Sequence, residues 1–402
     1  MKESQNKICI LGLGYIGLPT AALLATKGYT VHGVDIREDV VKVINAGEIH
    51  IQEPDLDVFV KSAVQSGNLT ASLAVEPANI FIIAVPTPFK KGFSPDLKYV
   101  HQAARTITPF LKEGNLIIVE STCPVGSTEG VAELIFQERP DLKNCLHIAH
   151  CPERVLPGQI MYELVHNDRL VGGVNQAATR EVALFYRKFV SGEVVETNAR
   201  TAEMAKLSEN IYRDVNIALA NELSIICATA GIDVGELIAL ANRHPRVNFL
   251  QPGCGVGGHC IAVDPWFLID SYPTLTKLIK TARERNREKT TWVIEKILST
   301  AESIQKDSST KVKVACMGLS YKPDVDDLRE SPAMEIVREL QRTCKVKVLP
   351  VEPHISSHPD IELFDSLRAF EEADLIVYLV NHKLFKNLPL DRKHTLNFTS
   401  TR

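Results

Sequence analysis

Nothing in this 402-residue chain reads as a membrane segment or an export signal: the first residues are polar and the first apolar run is short. That leaves the cytoplasm as the expected compartment. Neither sign of charge dominates. With 45 Lys and Arg against 49 Asp and Glu, the net charge of -4 gives no electrostatic reason to expect nucleic acid or a membrane surface as partner. The nine cysteines include no Cys-x-x-Cys pair, so reduced thiols are expected rather than a disulfide framework. No metal constellation stands out either. His147 and His150 are three apart, but no second pair of ligands stands near them, and a satisfied strand or loop histidine is the simpler reading. What remains is an ordinary globular composition, 45% hydrophobic and 23% charged, long enough for two or three domains.

The glycines are where the pattern becomes specific. Lys7-Ile-Cys-Ile-Leu11 reads as a buried parallel strand and runs straight into Gly12-Leu-Gly14-Tyr15-Ile16-Gly17. An alanine-rich helical pattern follows over residues 18–27, then a second strand over 30–34 that ends at Asp35. Strand, three glycines, helix, strand and acid make up a dinucleotide fingerprint in its proper context. The glycines allow a tight turn and let a pyrophosphate approach the helix N-terminus. Asp35 stands 18 residues after Gly17, where it can hydrogen-bond a ribose hydroxyl, which favours NAD. Arg37 is the competing signal, since a nearby arginine can accept a 2′-phosphate. The acid at the strand end carries more weight.

Further α/β units follow. Strands are predicted over residues 79–85 and 115–119, with a helix over 97–111 between them. Thr87 and Thr122 fall just past the carboxyl ends of those strands, where such sheets bind ligands; alternatively they cap the next helices. Glu153 and Arg154 follow the short strand at 147–150, either as a surface ion pair or as an acid and a base brought to a site. Residues 198–231 form the longest helical pattern, without proline or internal glycine before Gly231, a C-cap. Lys206, Asn210 and Arg213 share one face of it, which reads as a solvated polar face or a working one. This helix is also a natural spine and dimer interface. Arg243, His244 and Arg246 form a basic cluster just before Gln-Pro-Gly253-Cys-Gly255-Val-Gly257-Gly258-His-Cys260, with Asp264 four residues on. A thiol just past a glycine-rich loop is reachable, whereas most free cysteines are buried and inert.

A long charged helix is expected over residues 274–298 and a polar linker over 305–310. A second α/β region then begins, with strands over 311–317, 346–349 and 375–380 and a helix over 333–342. The fold class is therefore α/β, with two Rossmann-like parallel-sheet domains joined by a long central helix and a helical middle domain. The expected boundaries are 1–197 for NAD binding, 198–304 for the helical and dimerisation part with the Cys260 loop, and 305–402 for the nucleotide-sugar domain. Two such sheets suit a cofactor and a nucleotide-bearing substrate.

With these motifs in hand the chain resembles the UDP-glucose/GDP-mannose dehydrogenase family over nearly its whole length, from Lys7 to about Phe385. The motifs that carry the resemblance are Gly12-Leu-Gly-Tyr-Ile-Gly17, Ala84-Val-Pro-Thr-Pro88, Ser121-Thr-Cys-Pro-Val-Gly126, Pro152-Glu-Arg-Val-Leu-Pro-Gly158, Ala202-Glu-Met-Ala-Lys-Leu-Ser-Glu-Asn210, Gly257-Gly-His-Cys260, Tyr321-Lys-Pro323 and Arg329-Glu-Ser-Pro332. The resemblance implies a cytoplasmic enzyme that oxidises carbon 6 of a UDP-sugar twice, with two NAD, to the carboxylate used in surface polysaccharide synthesis. It implies Cys260 as the nucleophile that forms a thiohemiacetal and then a thioester, and Lys206 as oxyanion stabiliser or proton shuttle. Asp264 would position or activate water, Glu153 would lie near that water, and Asn210 and Thr122 would hold the oxygen and the water. Tyr15, Ile16, Asp35, Thr87, Thr122 and Arg329 match cofactor positions. Arg154, Val155, Lys206, Asn210, Arg213, His244, Arg246, Gly257, Tyr321 and Lys322 match sugar-nucleotide positions. The resemblance also implies a homodimer in which Arg246 reaches the neighbouring subunit's site.

Within the family, Pro157 stands where UDP-glucose enzymes carry a second glutamate, and His259 precedes the cysteine. Both point to a 2-acetamido sugar, N-acetylmannosamine first, with N-acetylglucosamine or glucose as alternatives. Ala262 replaces a usual proline, and the tail from Asp391 to Arg402 is expected to depart from the family ending. Two other classes compete: a two-electron hydroxyacid dehydrogenase, which has no use for Cys260 or the second sheet, and an idle nucleotide-binding protein, which has no use for Cys260, Lys206 and Asp264 together.

Overall fold

In the computed structural model, which describes residues 7–90, 92–305, 310–388 and 394–399, the chain divides into two compact units, Met1–Ser208 and Glu209–Arg402. The first holds an eight-stranded sheet built from β1 (Lys7–Leu11), β2 (Thr30–Val34), β3 (Leu69–Ser72), β4 (Ile80–Ile83), β5 (Leu116–Val119), β6 (His147–His150), β7 (Arg169–Gly173) and β8 (Val194–Asn198). Their order in the sheet is β3-β2-β1-β4-β5-β6-β7-β8. All neighbours run parallel except β6 and β7, which are antiparallel, so the sheet is parallel-dominated rather than wholly parallel. The second unit holds β9 (Lys313–Met317), β10 (Lys347–Val351), β11 (Leu375–Tyr378) and β12 (Thr395–Asn397) in the order β10-β9-β11-β12, all parallel.

The apolar runs become strands because helices cover both faces of each sheet, so neither face can stay polar. The period of two shows in the packing. Ile8, Ile10, Ile80 and Ile82 point into one core layer, while Cys9, Leu11, Phe81 and Ile83 point into the layer behind. Val314 and Cys316 on one side, and Ala315 and Met317 on the other, repeat this in the second sheet. Each fully buried large side chain contributes roughly 1.5–3 kcal/mol.

The expected long helices are present as Ala199–Ala230 and Lys277–Ile304. The first ends where expected. Gly231 adopts φ +71°, and Ile232 N–H reaches back to the Cys227 carbonyl at 2.9 Å. The boundary between the two units falls inside this helix. Near its start, Glu203 accepts from Gly126 N–H, Thr128 N–H and Thr128 Oγ1 at 2.6, 2.8 and 2.6 Å, placing a carboxylate on the N-terminus of the helix Ser127–Glu138. The linker expected over 305–310 lies largely outside the described residues, as do 391–393 and 400–402 of the tail. Thr395–Asn397 of that tail is the edge strand β12, a role its sequence did not announce.

Candidate active site

In the first unit, the turn after β1 has the shape the fingerprint requires. Gly12 N–H donates to Val34 O at 2.8 Å and Leu13 N–H to Asp35 Oδ2 at 3.0 Å. A methyl group at Gly17 would sit 1.8 Å from the Gly12 carbonyl oxygen, so only glycine lets the helix Gly17–Thr26 start this close to the turn. The other Asp35 oxygen accepts from Arg37 N–H at 3.0 Å. The carboxylate is thus held by two backbone donors while half-buried at the carboxyl end of β2, with lone pairs left for a ribose. The Arg37 guanidinium is ion-paired with Asp39 at the surface. The tight turn at Gly12 and Gly17 and the partly occupied Asp35 carboxylate form a cradle of the shape a dinucleotide requires. Past β4, the Thr87 hydroxyl donates to Thr122 O at 2.7 Å, tying together two of the expected cofactor loops.

Glu153 lies past β6 and is buried. Its Oε1 accepts from Arg154 N–H and Val155 N–H at 2.7 and 3.0 Å, and Arg169 Nη1 donates to its Oε2 at 2.7 Å. Arg169 is itself buried and lies over the Tyr186 ring, whose hydroxyl donates to Glu120 Oε1 at 2.7 Å. Glu120 stands at the carboxyl end of β5, immediately before Ser121 and Thr122. Burial pushes its carboxyl up to about 7, with Arg169 pulling against it. Arg169, Tyr186 and Glu120 had no signal in the sequence, because they lie on separate strands and a helix that only the fold brings together. Lys206 is buried on the helix Ala199–Ala230. His150, also fully buried, is held neutral: burial pulls it down to about 3, and the Lys206 charge adds to that. Arg154 is partly buried, with its Nη1 donating to Asp168 O at 3.2 Å.

In the second unit, the glycine-rich loop is placed by a buried polar ladder. Arg283 donates to Asp214 at 2.6 Å, Asn286 donates to the same carboxylate at 2.8 Å, and Asn221 donates to Asn286 Oδ1 at 2.9 Å. Asn221 Oδ1 in turn accepts from Gly253 N–H at 2.9 Å, and Thr290 Oγ1 donates to Cys254 O at 2.9 Å. The far side of the loop lies on the segment 321–332. Gly258 N–H donates to Arg329 O at 3.1 Å, and a methyl group at Gly257 would meet the Glu330 carbonyl at 2.4 Å. This close approach explains the glycine at 257, and it puts Tyr321 against the same loop.

Cys260 ends that loop half-buried. By contrast Cys9, Cys151, Cys254 and Cys316 are buried, and burial pushes each thiol up to about 12, where no useful thiolate fraction exists at neutral pH. The Cys260 carbonyl accepts from Val263 N–H and Asp264 N–H at 3.0 and 2.8 Å, and Asp264 opens the helix Asp264–Ser271. Asn210 Nδ2 donates to Asp264 Oδ2 and Asn210 Oδ1 accepts from Arg213. The amide is therefore fixed in one orientation between an acid and a cation. Lys322 lies over the Tyr321 ring, Arg329 is paired bidentately with Asp327, and His244 and Arg246 are exposed.

Comparison with known proteins accounts for this arrangement. Residues 6–190 match the NAD binding domain of the UDP-glucose/GDP-mannose dehydrogenase family, residues 200–288 its central domain and residues 315–399 its UDP binding domain. A UDP-N-acetyl-D-mannosamine dehydrogenase of Campylobacter jejuni is 51% identical, covering 96% of this chain and 98% of that protein. The chain belongs to the UDP-glucose/GDP-mannose dehydrogenase family. A member from Ralstonia nicotianae named as an NDP-N-acetyl-D-galactosaminuronic acid dehydrogenase is 49% identical, over 98% of this chain and 95% of that one. The solved structure of a UDP-D-ManNAc dehydrogenase from Pyrococcus horikoshii superposes with a TM-score of 0.89 at 39% identity, covering 98% and 95% of the two chains.

As a family member the chain carries an NAD-binding domain and a UDP-binding domain, and among the described residues no helix is long and apolar enough to cross a membrane. The family match runs to residue 399, so the resemblance does not stop at Phe385, and most of the tail expected to depart from the family lies inside it. The reason is β12, which adds a strand to the second sheet beside β11.

Proposed function

We propose that this chain oxidises carbon 6 of UDP-N-acetyl-D-mannosamine twice, giving UDP-N-acetyl-D-mannosaminuronate for surface polysaccharide synthesis. The observation that carries the reading is Cys260: a half-buried thiol at the end of a rigidly held loop, followed by the Asp264–Asn210–Arg213 chain. NAD, when bound on the Gly12–Asp35 cradle, accepts the hydride of each oxidation. Between the two, the Cys260 sulfur adds to the aldehyde to give a thiohemiacetal, whose oxidation leaves a thioester. Water then cleaves the carbon–sulfur bond, releasing the carboxylate and returning the thiol. Lys206 stabilises the oxygen charge that develops at carbon 6. Asp264, fixed by Asn210, orients the water with Thr122 and Glu153. Arg154, Val155, Arg213, His244, Arg246, Gly257, Tyr321 and Lys322 bind the sugar nucleotide, and Thr87 and Arg329 serve the cofactor.

The N-acetylmannosamine assignment is supported by Pro157 and His259 and by relatives of that name at about half identity. The Ralstonia relative makes N-acetylgalactosamine the competing sugar. The test is the yield of NADH per mole of UDP-N-acetylmannosamine, UDP-N-acetylgalactosamine, UDP-N-acetylglucosamine and UDP-glucose. Two NADH on the first alone is the expected result; two on another sugar keeps the mechanism and overturns the substrate, and one NADH overturns the thioester.

The working division is three domains, 1–197, 198–304 and 305–402, in line with the three family matches. A homodimer is supported by the helix Ala199–Ala230, on which Tyr212, Leu219 and Ile226 stand seven residues apart and are 55%, 45% and 53% exposed. A heptad-spaced apolar stripe on a long helix is the pattern of a helix-to-helix contact. Light scattering should give twice the chain mass, and a monomer would refute this part. The cytoplasm, where thiols stay reduced, is the compartment we propose, a reading supported by the free buried thiols Cys9, Cys151 and Cys316.

A further inference from the structure

The second sheet contains a close copy of the dinucleotide turn, one that has been filled in. Gly12-Leu13-Gly14-Tyr15 after β1 recurs as Gly318-Leu319-Ser320-Tyr321 after β9. Both strands are flanked by the same neighbours, β2 and β4 in one case and β10 and β11 in the other. Gly12 and Gly318 adopt φ +90° and +88°. Gly12 N–H donates to Val34 O at 2.8 Å, and Gly318 N–H to Val351 O at 2.8 Å. The next residue in each turn donates to the acid that ends the adjacent strand, Leu13 to Asp35 at 3.0 Å and Leu319 to Glu352 at 2.8 Å. Each acid also accepts from the backbone two residues on, from Arg37 at 3.0 Å and from His354 at 3.1 Å.

The two copies differ at the acid. Asp35 is half-buried and has capacity for a ribose. Glu352 is buried and its oxygens are already occupied: Oε2 accepts from Leu319 N–H and Ser320 N–H at 2.8 and 2.9 Å and lies 3.1 Å from His382 Nε2. His382 is fully buried. Asp324 N–H donates to its Nδ1 at 2.9 Å, so the ring proton sits on Nε2, facing Glu352. Asp324 Oδ1 accepts from Lys383 N–H at 2.9 Å, and Ser320 Oγ donates to Lys322 O at 2.7 Å. All of these bonds except the one between Glu352 and His382 land on the loop that bears Tyr321 and Lys322. Asp324, His354 and His382 could together face a metal ion, but the Asp324 and His382 atoms already serve this loop.

We propose that Glu352 and His382 are positioning residues that turn a copy of the dinucleotide turn into a fixed platform for Tyr321 and Lys322, and that they close its acid position to a nucleotide ribose. The inference rests on the reading that Tyr321 and Lys322 meet the uridine diphosphate of the substrate. Its test is Glu352→Gln, which keeps the volume but sets N–H against the N–H donors. Ser320→Ala, which removes the hydroxyl that donates to Lys322 O and lies 3.4 Å from His382 Nε2 but keeps the N–H to Glu352, serves as a milder second variant. UDP binding is measured by calorimetry, with KM for sugar nucleotide and NAD, kcat and the unfolding temperature alongside. The expected result is UDP affinity and sugar-nucleotide KM worsened about tenfold or more in Glu352→Gln and less in Ser320→Ala, with kcat and the NAD KM within about twofold. If the wild-type enzyme binds UDP and both variants bind it equally well, the inference is overturned. If sugar and NAD affinity fall together with the unfolding temperature, the pair is only structural and the inference is again overturned. If the wild-type enzyme fails to bind UDP, the assignment of Tyr321 and Lys322 falls first and takes the inference with it.

Discussion

Arg169→Met should destabilise the first unit by several kcal/mol. Arg169 and Glu153 have side chains only 3% and 6% exposed and are joined at 2.7 Å. Removing one partner of a buried ion pair leaves the other charge uncompensated, at about 3–5 kcal/mol. Glu153 keeps its two backbone donors, Arg154 N–H and Val155 N–H, so the cost should fall near the lower end, about 3 kcal/mol. For a unit of this size each kcal/mol moves the unfolding temperature by about 2–4 °C, so a fall of about 6–12 °C is expected in calorimetry at pH 8. The deficit should shrink at pH 5.5, because Glu120, whose carboxyl burial pushes up to about 7, is then protonated and one buried negative charge fewer depends on the guanidinium. The double variant Arg169→Met with Glu153→Gln should recover much of the loss, since the Glu153 charge is then no longer stranded. An Arg169→Met protein within about 1 kcal/mol of wild type at pH 8, or a double variant as unstable as the sum of the singles, would refute the reasoning.

Three further outcomes are expected. Glu120 has its folded-state value raised by burial from 4.5 to about 7, so its contribution to stability is present below about 4.5 and is lost as pH rises through about 7; Glu120→Gln should flatten the fall in unfolding temperature between pH 5 and 8. Cys260→Ala should abolish the carboxylate product while leaving UDP binding within about threefold, and a variant that still forms carboxylate at the wild-type rate would eliminate the covalent route. Gly17→Ala, whose methyl group would lie 1.8 Å from the Gly12 oxygen, should raise the NAD KM by about tenfold or more with little change in UDP affinity, as read by initial rates and calorimetry.

The sequence by itself determined the parts that depend on local chemistry. The strand–glycine–helix–acid fingerprint placed Asp35 where it lies, because turn geometry and strand period are short-range properties. The long helix ended at Gly231 because a left-handed C-cap needs glycine. Cys260 stood out because its loop is glycine-rich, and one reason, the close approach at Gly257 to the Glu330 carbonyl, became visible only once the chain was folded. The motifs also carried the family, since their residues are contiguous. What the sequence left undecided belongs to residues far apart in the chain. The antiparallel β7 and the edge strand β12 are short and weakly patterned, and pairing with neighbours rather than propensity makes them strands. Glu153 read as one half of a Glu-Arg pair with Arg154, its neighbour; the fold instead gives its side chain Arg169, 16 residues on, because β7 returns antiparallel beside β6 after the helix Ile160–His166. Glu352 and His382 carried no signal at all. They became a pair because β10 and β11 lie on either side of β9, so that the fold brings both side chains to the loop after β9 and to each other.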